Sequence, residues 1–510
     1  MSRSLKTVFG FVSCLVFCIS HTQYVLYHSN QNTKFLHGLA NAGYGFLKND
    51  WLSNTWDPLI VFTSIVQFTY EYLSPSFFYV YYYVLISLYF VFVVKIVAEI
   101  FNIKLKSFVM LAFVAVFVFV HSELFHQLSI KYIGISLRRL FTFGFAFQYM
   151  FNHYFQPSVF GVFIIISLYY FLKKKYFVAI VFSSLAMVLH SAYFLHAALL
   201  TIVYMGYAYA ENKRILKSFY IGLLSLVIVL PVVINSMQHF ESVSPEIQIQ
   251  AREIVIDYII PFHSIPAKWL SAGEIFKMIV TMGAIILFRK NRISTVIIVF
   301  FGIAMLFTIL DFFYPNNTIR FAAPWRLSVI FYPLSFILVV AYGVKNAINL
   351  CQAKWIVTIV SILLLVSSMV FGIIYQRQKL VNHENRVFSS MMNFVRDNKK
   401  QGDIYFIPPY IDDFRLYTGA AIFINSKSHP YRSEEIIEWF NREQIAKRFY
   451  QDKLIELQEL EELVHTYNIT HVVLHQAQEL LINHKSETLE LKKVYEDDVY
   501  VVHEMIRDHS

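Results

Sequence analysis

Apolar residues fill the first three quarters of the chain in blocks separated by short polar connections. These runs lie at about 1–26, 77–98, 107–121, 157–172, 176–190, 193–209, 218–237, 273–288, 293–311, 326–343 and 355–375, which predicts about eleven transmembrane helices. The opening stretch, MSRSLKTVFGFVSCLVFCIS, also has the form of a secretory leader with small residues near Ser20. Extended to Tyr27 it is long enough to stay as an uncleaved anchor, the preferred reading. Beyond about residue 376 the pattern changes. Helical periods at 386–398, 434–450 and 453–466 alternate with β-prone runs at 403–407, 421–425, 471–474 and 500–503. The expected architecture is a polytopic α-helical membrane protein (1–375) carrying a small C-terminal α/β extracytoplasmic domain (376–510). About 130 residues is a normal size for an independent fold, so the tail from about Asn382 onward is expected to fold alone.

Composition agrees with that division. The chain has 510 residues, 57% hydrophobic and 18% aromatic, with a mean hydropathy of +0.51. Ordinary soluble cores could not hide so many Phe and Tyr side chains. The net charge of +9 divides into +14 over 1–375 and −5 over 376–510. With the N-terminus inside, the cytoplasmic connections hold Lys104 and Lys106, Lys173 to Lys175, Lys213, Arg214 and Lys217, Arg289, Lys290 and Arg292, and Lys345 and Lys354. All are short and basic, as the positive-inside rule requires. The basic excess therefore reads as topology and contact with the lipid bilayer, and excludes nucleic acid as a partner. An odd number of spans delivers the tail to the outer side.

Three longer outer connections follow from this topology: 28–76, 122–156 and 238–272. The first reads GLANAGYGFLKNDWLSNTWDP over 38–58 and holds the only acids before Glu71, namely Asp50 and Asp57. A carboxylate there suits general-base work on a hydroxyl, or the holding of a divalent cation against a diphosphate. Asp50 is the preferred base, because Asp57 directly precedes Pro58 and also reads as a helix start. Trp51 and His37 lie nearby as substrate contacts, and Trp51 suits a membrane interface. The second connection carries Arg138 and Arg139 against the charge rule, and its apolar run LFTFGFAFQYMF is too short to span, suggesting a re-entrant or interfacial segment. Together with His263, Lys268, Arg320 and Arg326 these residues form an outer set of polar and basic groups whose arginine forks match phosphate. Arg415 and Lys427, in the aromatic centre of the tail, are the first residues expected to contact an acceptor.

Other chemistry is poorly served. His190 and His196 lack the helical spacing and acidic partner of a zinc site. No P-loop, G-x-G-x-x-G or G-x-S-x-G element occurs. Ionisable residues within the spans are few (Lys95, Glu99 and Asp311), which argues against an ion-coupled pump.

The layout resembles that of the GT-C glycosyltransferases, with the N-terminus inside, many spans, an acid in the first outer loop and an outer C-terminal domain. Only Asp50, or failing it Asp57, fits that acid. The runs GYGFLKNDWLSNTWDP, QPSVFGVFIIISLYYFL, PWRLS and FRLYTGAAIFINSKSHPY are similar to a family of bacterial membrane proteins, implying an inner-membrane location. The resemblance implies a polyprenyl-phosphate-linked sugar donor and inverting transfer to an envelope glycan, lipid or protein on the outer face. A divalent cation is an open possibility, no other cofactor is expected, and no metal ligands are assigned. The alternative is a non-catalytic polysaccharide assembly or transport protein.

Overall fold

A computed structural model describes residues 3–239, 243–384, 386, 389–451, 457–479 and 489–507. It is mostly helical with one small sheet. Each of the ten apolar runs expected after residue 76 coincides with a helix. Among the described residues six helices are long and apolar enough to cross a membrane, or seven if a bent pair counts as one span. The chain forms two compact units: one of 1–24, 78–238 and 255–378, the other of 25–77, 239–254 and 379–510. The domain boundary expected at 375/376 thus falls at 378/379. The connection assigned to the membrane domain, 28–76, folds with the tail instead.

The helical unit owes its interior to aromatic side chains. Phe17, Tyr82, Tyr89, Phe90 and Phe117 are buried together, with Phe17 stacked on Phe117 at 5.5 Å. Helix Phe108–His121 is followed by helix Glu123–Ile133 at a bend of 63°. The cause is Ser122, whose extended backbone breaks the first helix while its hydroxyl caps the second by accepting from Phe125 N–H. The apolar run 140–151 forms only a four-residue helix, Arg139–Thr142, then a tight irregular turn. Ala146 and Phe147 hold positive φ of 52° and 56° there, a conformation that strains non-glycine residues. Irregular backbone inside so apolar a unit requires its polar groups to be met by protein. Gly144 N–H donates to Gln148 O, Phe145 N–H to Ser328 Oγ, and Lys277 Nζ to Gly144 O at 2.6 Å.

The second unit contains a five-stranded sheet of order β2-β1-β3-β5-β4. Its strands are β1 (Ile404–Phe406), β2 (Ala421–Ile422), β3 (His471–His475), β4 (Leu489–Glu496) and β5 (Tyr500–Arg507). β1 runs parallel to β2 and β3, and β5 is antiparallel to β3 and β4. Helices Ser389–Asn398 and Ser433–Gln451 match the expected helices, and the described part of the third is Leu457–Tyr467; residues 452–456 lie outside the description. β4 was not expected. Its sequence, LELKKVYE, buries only its first position fully, the pattern of a mostly solvated edge strand.

The segment 25–77 completes this unit at the opposite edge of the sheet. Phe46 N–H donates to Gly419 O at 2.8 Å, and Trp56 N–H to Glu435 Oε1 at 3.1 Å. Gly45 and Gly419 both have positive φ, and a Cβ on Gly45 would strike the Gly419 carbonyl. Gly45→Ala is therefore expected to lower the melting temperature of the full chain, with a cost of about 1–3 kcal/mol from the backbone strain alone. Differential scanning fluorimetry against Gly43→Ala, whose Cβ would meet nothing within 4 Å, separates the clash from the shared left-handed backbone.

Candidate functional site

Asp50 is fully buried. Its Oδ1 accepts from Leu52 N–H at 2.9 Å, while Oδ2 accepts from Ile422 N–H at 3.0 Å and from Arg415 Nε at 2.7 Å. Ile422 is in the edge strand β2, so Asp50 satisfies a backbone donor that would otherwise face outward. Arg415 is 1% exposed, held by the short helix Phe414–Thr418. A carboxylate with three donors and no solvent contact is a structural anchor, and an acceptor hydroxyl has no access to it. The expected base and the expected acceptor contact Arg415 are thus partners of one another. Asp57 also has a structural position: Oδ1 accepts from Leu59 N–H at 2.9 Å and Oδ2 from Thr63 Oγ1, which opens helix Ile60–Tyr72. His37 Nε2 meets the Thr55 carbonyl at 3.0 Å.

Lys427 has a more chemical setting. The turn around it is fixed by Asn425 Nδ2 donating to Asp412 O, by Ser428 N–H donating to Asn425 Oδ1, and by Thr33 Oγ1 reaching Lys427 O at 3.3 Å. Lys34, beside Thr33, lies 4.8 Å over the Tyr431 ring and also contacts its hydroxyl. Burial pushes the Asp412 carboxyl up, and nearby Lys427 opposes the shift. Burial pushes the Lys427 ammonium down, opposed by Asp412 and reinforced by Lys34. His28 belongs to the same group: burial draws it down to about 4, with Asp413 opposing and Lys379, Lys427 and His383 reinforcing. His429 is likewise drawn down to about 4 by burial. An acid held up beside a base held down is the arrangement that proton transfer near neutral pH requires.

The two histidines give a pH prediction. Each binds a proton more weakly folded (about 4) than unfolded (6.5). Between those values the unfolded chain takes up more protons, so stability falls as pH falls through this window. Melting temperature measured from pH 7 to 4 should drop, and the drop should shrink in His28→Gln. An unchanged profile in that variant would show that His28 is not a source of it.

Trp51 lies in the second unit with its ring 4.3 Å from the Arg442 guanidinium, and the other expected residues belong to the helical unit. Arg138 Nη1 pairs with Glu123 Oε2 at 2.8 Å, both buried, and Gln127 Nε2 donates to Glu123 Oε1 at 3.0 Å. Arg320 Nε lies 3.0 Å from both oxygens of Asp311. His263 Nδ1 meets Ala146 O at 2.7 Å. Arg139 is exposed and lies over Phe143 at 5.6 Å, Lys268 is exposed, and Arg326 is half-buried in the turn Pro324–Leu327. Lys277 and Glu274, unnoticed in the sequence, form a second buried pair at 2.9 Å. With Glu123 and Arg138 they give this unit two buried ion pairs, where the sequence had singled out only Lys95, Glu99 and Asp311 within the spans. The local signal for Glu123 was its place just after a serine at the end of an apolar run.

Among the described residues no three His, Cys, Asp or Glu side chains converge to hold a metal ion, so the divalent cation left open by the sequence gains no ligand set. Comparison with curated proteins finds no match. Residues 388–445 match the model of a family described as a domain of unknown function (DUF6798), a segment that runs from helix Ser389–Asn398 into helix Ser433–Gln451 and contains Asp412, Arg415 and Lys427.

Proposed function

We propose that this chain is a multi-pass protein of a bacterial cytoplasmic membrane that transfers a sugar from a polyprenyl-phosphate-linked donor to an envelope glycan, lipid or protein on the outer face. The observation that carries this reading is the half-buried Asp412 carboxyl with Lys427 nearby, in a turn fixed by the Asn425–Asp412 and Thr33–Lys427 hydrogen bonds, a setting that suits a carboxylate to take a proton from an attacking hydroxyl. Asp412 replaces Asp50 as the proposed base. Lys427 is its cationic neighbour, and Lys34 lies near Lys427 in turn. In the helical unit Arg138 and Arg320 are engaged by Glu123 and Asp311. Buried ion pairs in a helical unit of this apolarity are costly, which supports a role for them beyond packing.

The direct test is transfer of a radiolabelled sugar from a polyprenyl-phosphate donor by the purified full-length protein, with membrane lipid and envelope extract as acceptors. Failure to consume any donor, together with no donor binding, would favour a non-catalytic assembly protein. The structural positions of Asp50 and Asp57 already favour that second reading more than the sequence did.

The proposed orientation has eleven spans with 25–77 and 379–510 both outside. The common packing of these two segments in one unit supports placing them on one side. Cysteine labelling tests it at Lys48 and Gln401, which are exposed; Ser428 is fully buried and would not serve. Lys48→Cys and Gln401→Cys, in a background lacking native cysteines, should react with an impermeant maleimide in intact cells. Reaction only after permeabilisation would overturn the orientation.

A further inference from the structure

A cavity of about 240 Å³ in the second unit is lined by Asn49, Trp51, Ile404, Ile422, Phe423, Arg442, Thr466, Tyr467 and Asn468. The lining mixes apolar and aromatic side chains with two side-chain amides and the Thr466 hydroxyl. Arg442 is the one charged residue in that lining. Its guanidinium sits 4.3 Å over the Trp51 ring, 4.8 Å over Tyr467 and 5.2 Å over Phe423. Glu438 Oε1 accepts from Nε at 2.7 Å, which fixes the fork by one edge. The side chain is only 12% exposed. The aromatic faces hold the group flat, so little rotamer freedom remains to be lost on binding.

We infer that this cavity binds one carboxylate-bearing sugar unit, a uronic acid, of a glycan. A fixed, planar, permanently charged fork matches a carboxylate in two parallel hydrogen bonds. The exposed Asn49 offers a donor and an acceptor suited to ring hydroxyls. The Trp51 and Tyr467 rings and the volume suit a single ring set against aromatic carbon. The assignment rests on the transferase reading in taking a glycan as the acceptor, and would make acidic glycans the preferred class.

The test is calorimetric titration of the purified full-length protein in detergent with sodium glucuronate, glucose, and inorganic phosphate, independent of any transfer assay. Glucuronate should bind at least about tenfold more tightly than glucose or phosphate, the difference expected of hydrogen bonds to a charged group. Arg442→Gln should abolish that preference. Because Arg442 is also packed among three rings, Asn49→Asp provides a second variant. Asn49 is exposed, so a carboxylate there leaves the packing alone and should weaken glucuronate at least severalfold more than it weakens glucose. Equal binding of glucuronate and glucose, or tighter binding of phosphate, overturns the assignment. So does an Asn49→Asp variant with unchanged glucuronate affinity. Glucuronate binding without transfer from any donor would instead leave the site standing and remove the transferase.

Discussion

Asp50→Ala is expected to unfold the second unit in the full-length protein, not merely to silence it. Removing one member of a buried, hydrogen-bonded ion pair costs about 3–5 kcal/mol, because the remaining charge is stranded. Here the stranded group is the Arg415 guanidinium, 1% exposed, whose Nη1 already lacks a hydrogen-bond partner among the described residues. Ile422 N–H on the sheet edge would lose its acceptor as well. A typical domain has only about 5–15 kcal/mol to lose, so the variant should show poor yield, early melting and rapid proteolysis within 25–77. Arg415→Ala should do comparable damage, and the double replacement Asp50→Leu with Arg415→Leu should be milder than either, since no charge is left buried. Protease resistance and melting in detergent read this directly. A near-normal melting temperature for Asp50→Ala would mean that the pair does not hold the unit together, and would return Asp50 to consideration as a base.

Asp412→Asn should act oppositely, leaving melting nearly unchanged while lowering sugar transfer by about 10²–10⁴-fold, the usual contribution of a general base. The carboxyl must be ionised to accept a proton, so the rate should rise with pH through a midpoint above the ordinary 3.8 of an aspartate. Lys427 favours the ionised form. Lys427→Gln should therefore shift the acid limb to higher pH, an effect that mere loss of acceptor affinity would not produce. Rates measured from pH 4 to 8 at matched protein levels distinguish the two. If Asp412→Asn transfers sugar at close to the normal rate, the group is structural and the assembly reading gains.

The helices on the apolar runs after residue 76 were legible because each run is continuous, although among the described residues only six, or seven with the bent pair, are long and apolar enough to span. The parallel core of the sheet was legible in its β-branched and aromatic runs. β4 was missed because seven of its eight positions are polar or half-exposed, which hides the alternation. Asp57 was readable as a helix start from its place before Pro58, a local signal. Asp50 and Arg415 were both singled out, yet for separate tasks, since nothing local links residues 365 positions apart. Asp412 sat unremarked in PPYIDDF, and only the approach of Lys427 gives it chemical interest.

That separation also sets a schedule for synthesis. At about 5–20 residues per second, the 365 residues between Asp50 and Arg415 take roughly 20–70 s to translate. Throughout that interval the segment carrying Asp50 has neither its cationic partner nor the sheet edge that it covers. The chain must therefore carry an unfinished, aromatic-rich segment through most of its own membrane insertion, and ribosome-bound intermediates stopped before residue 415 should be far more open to protease at 25–77 than the released protein.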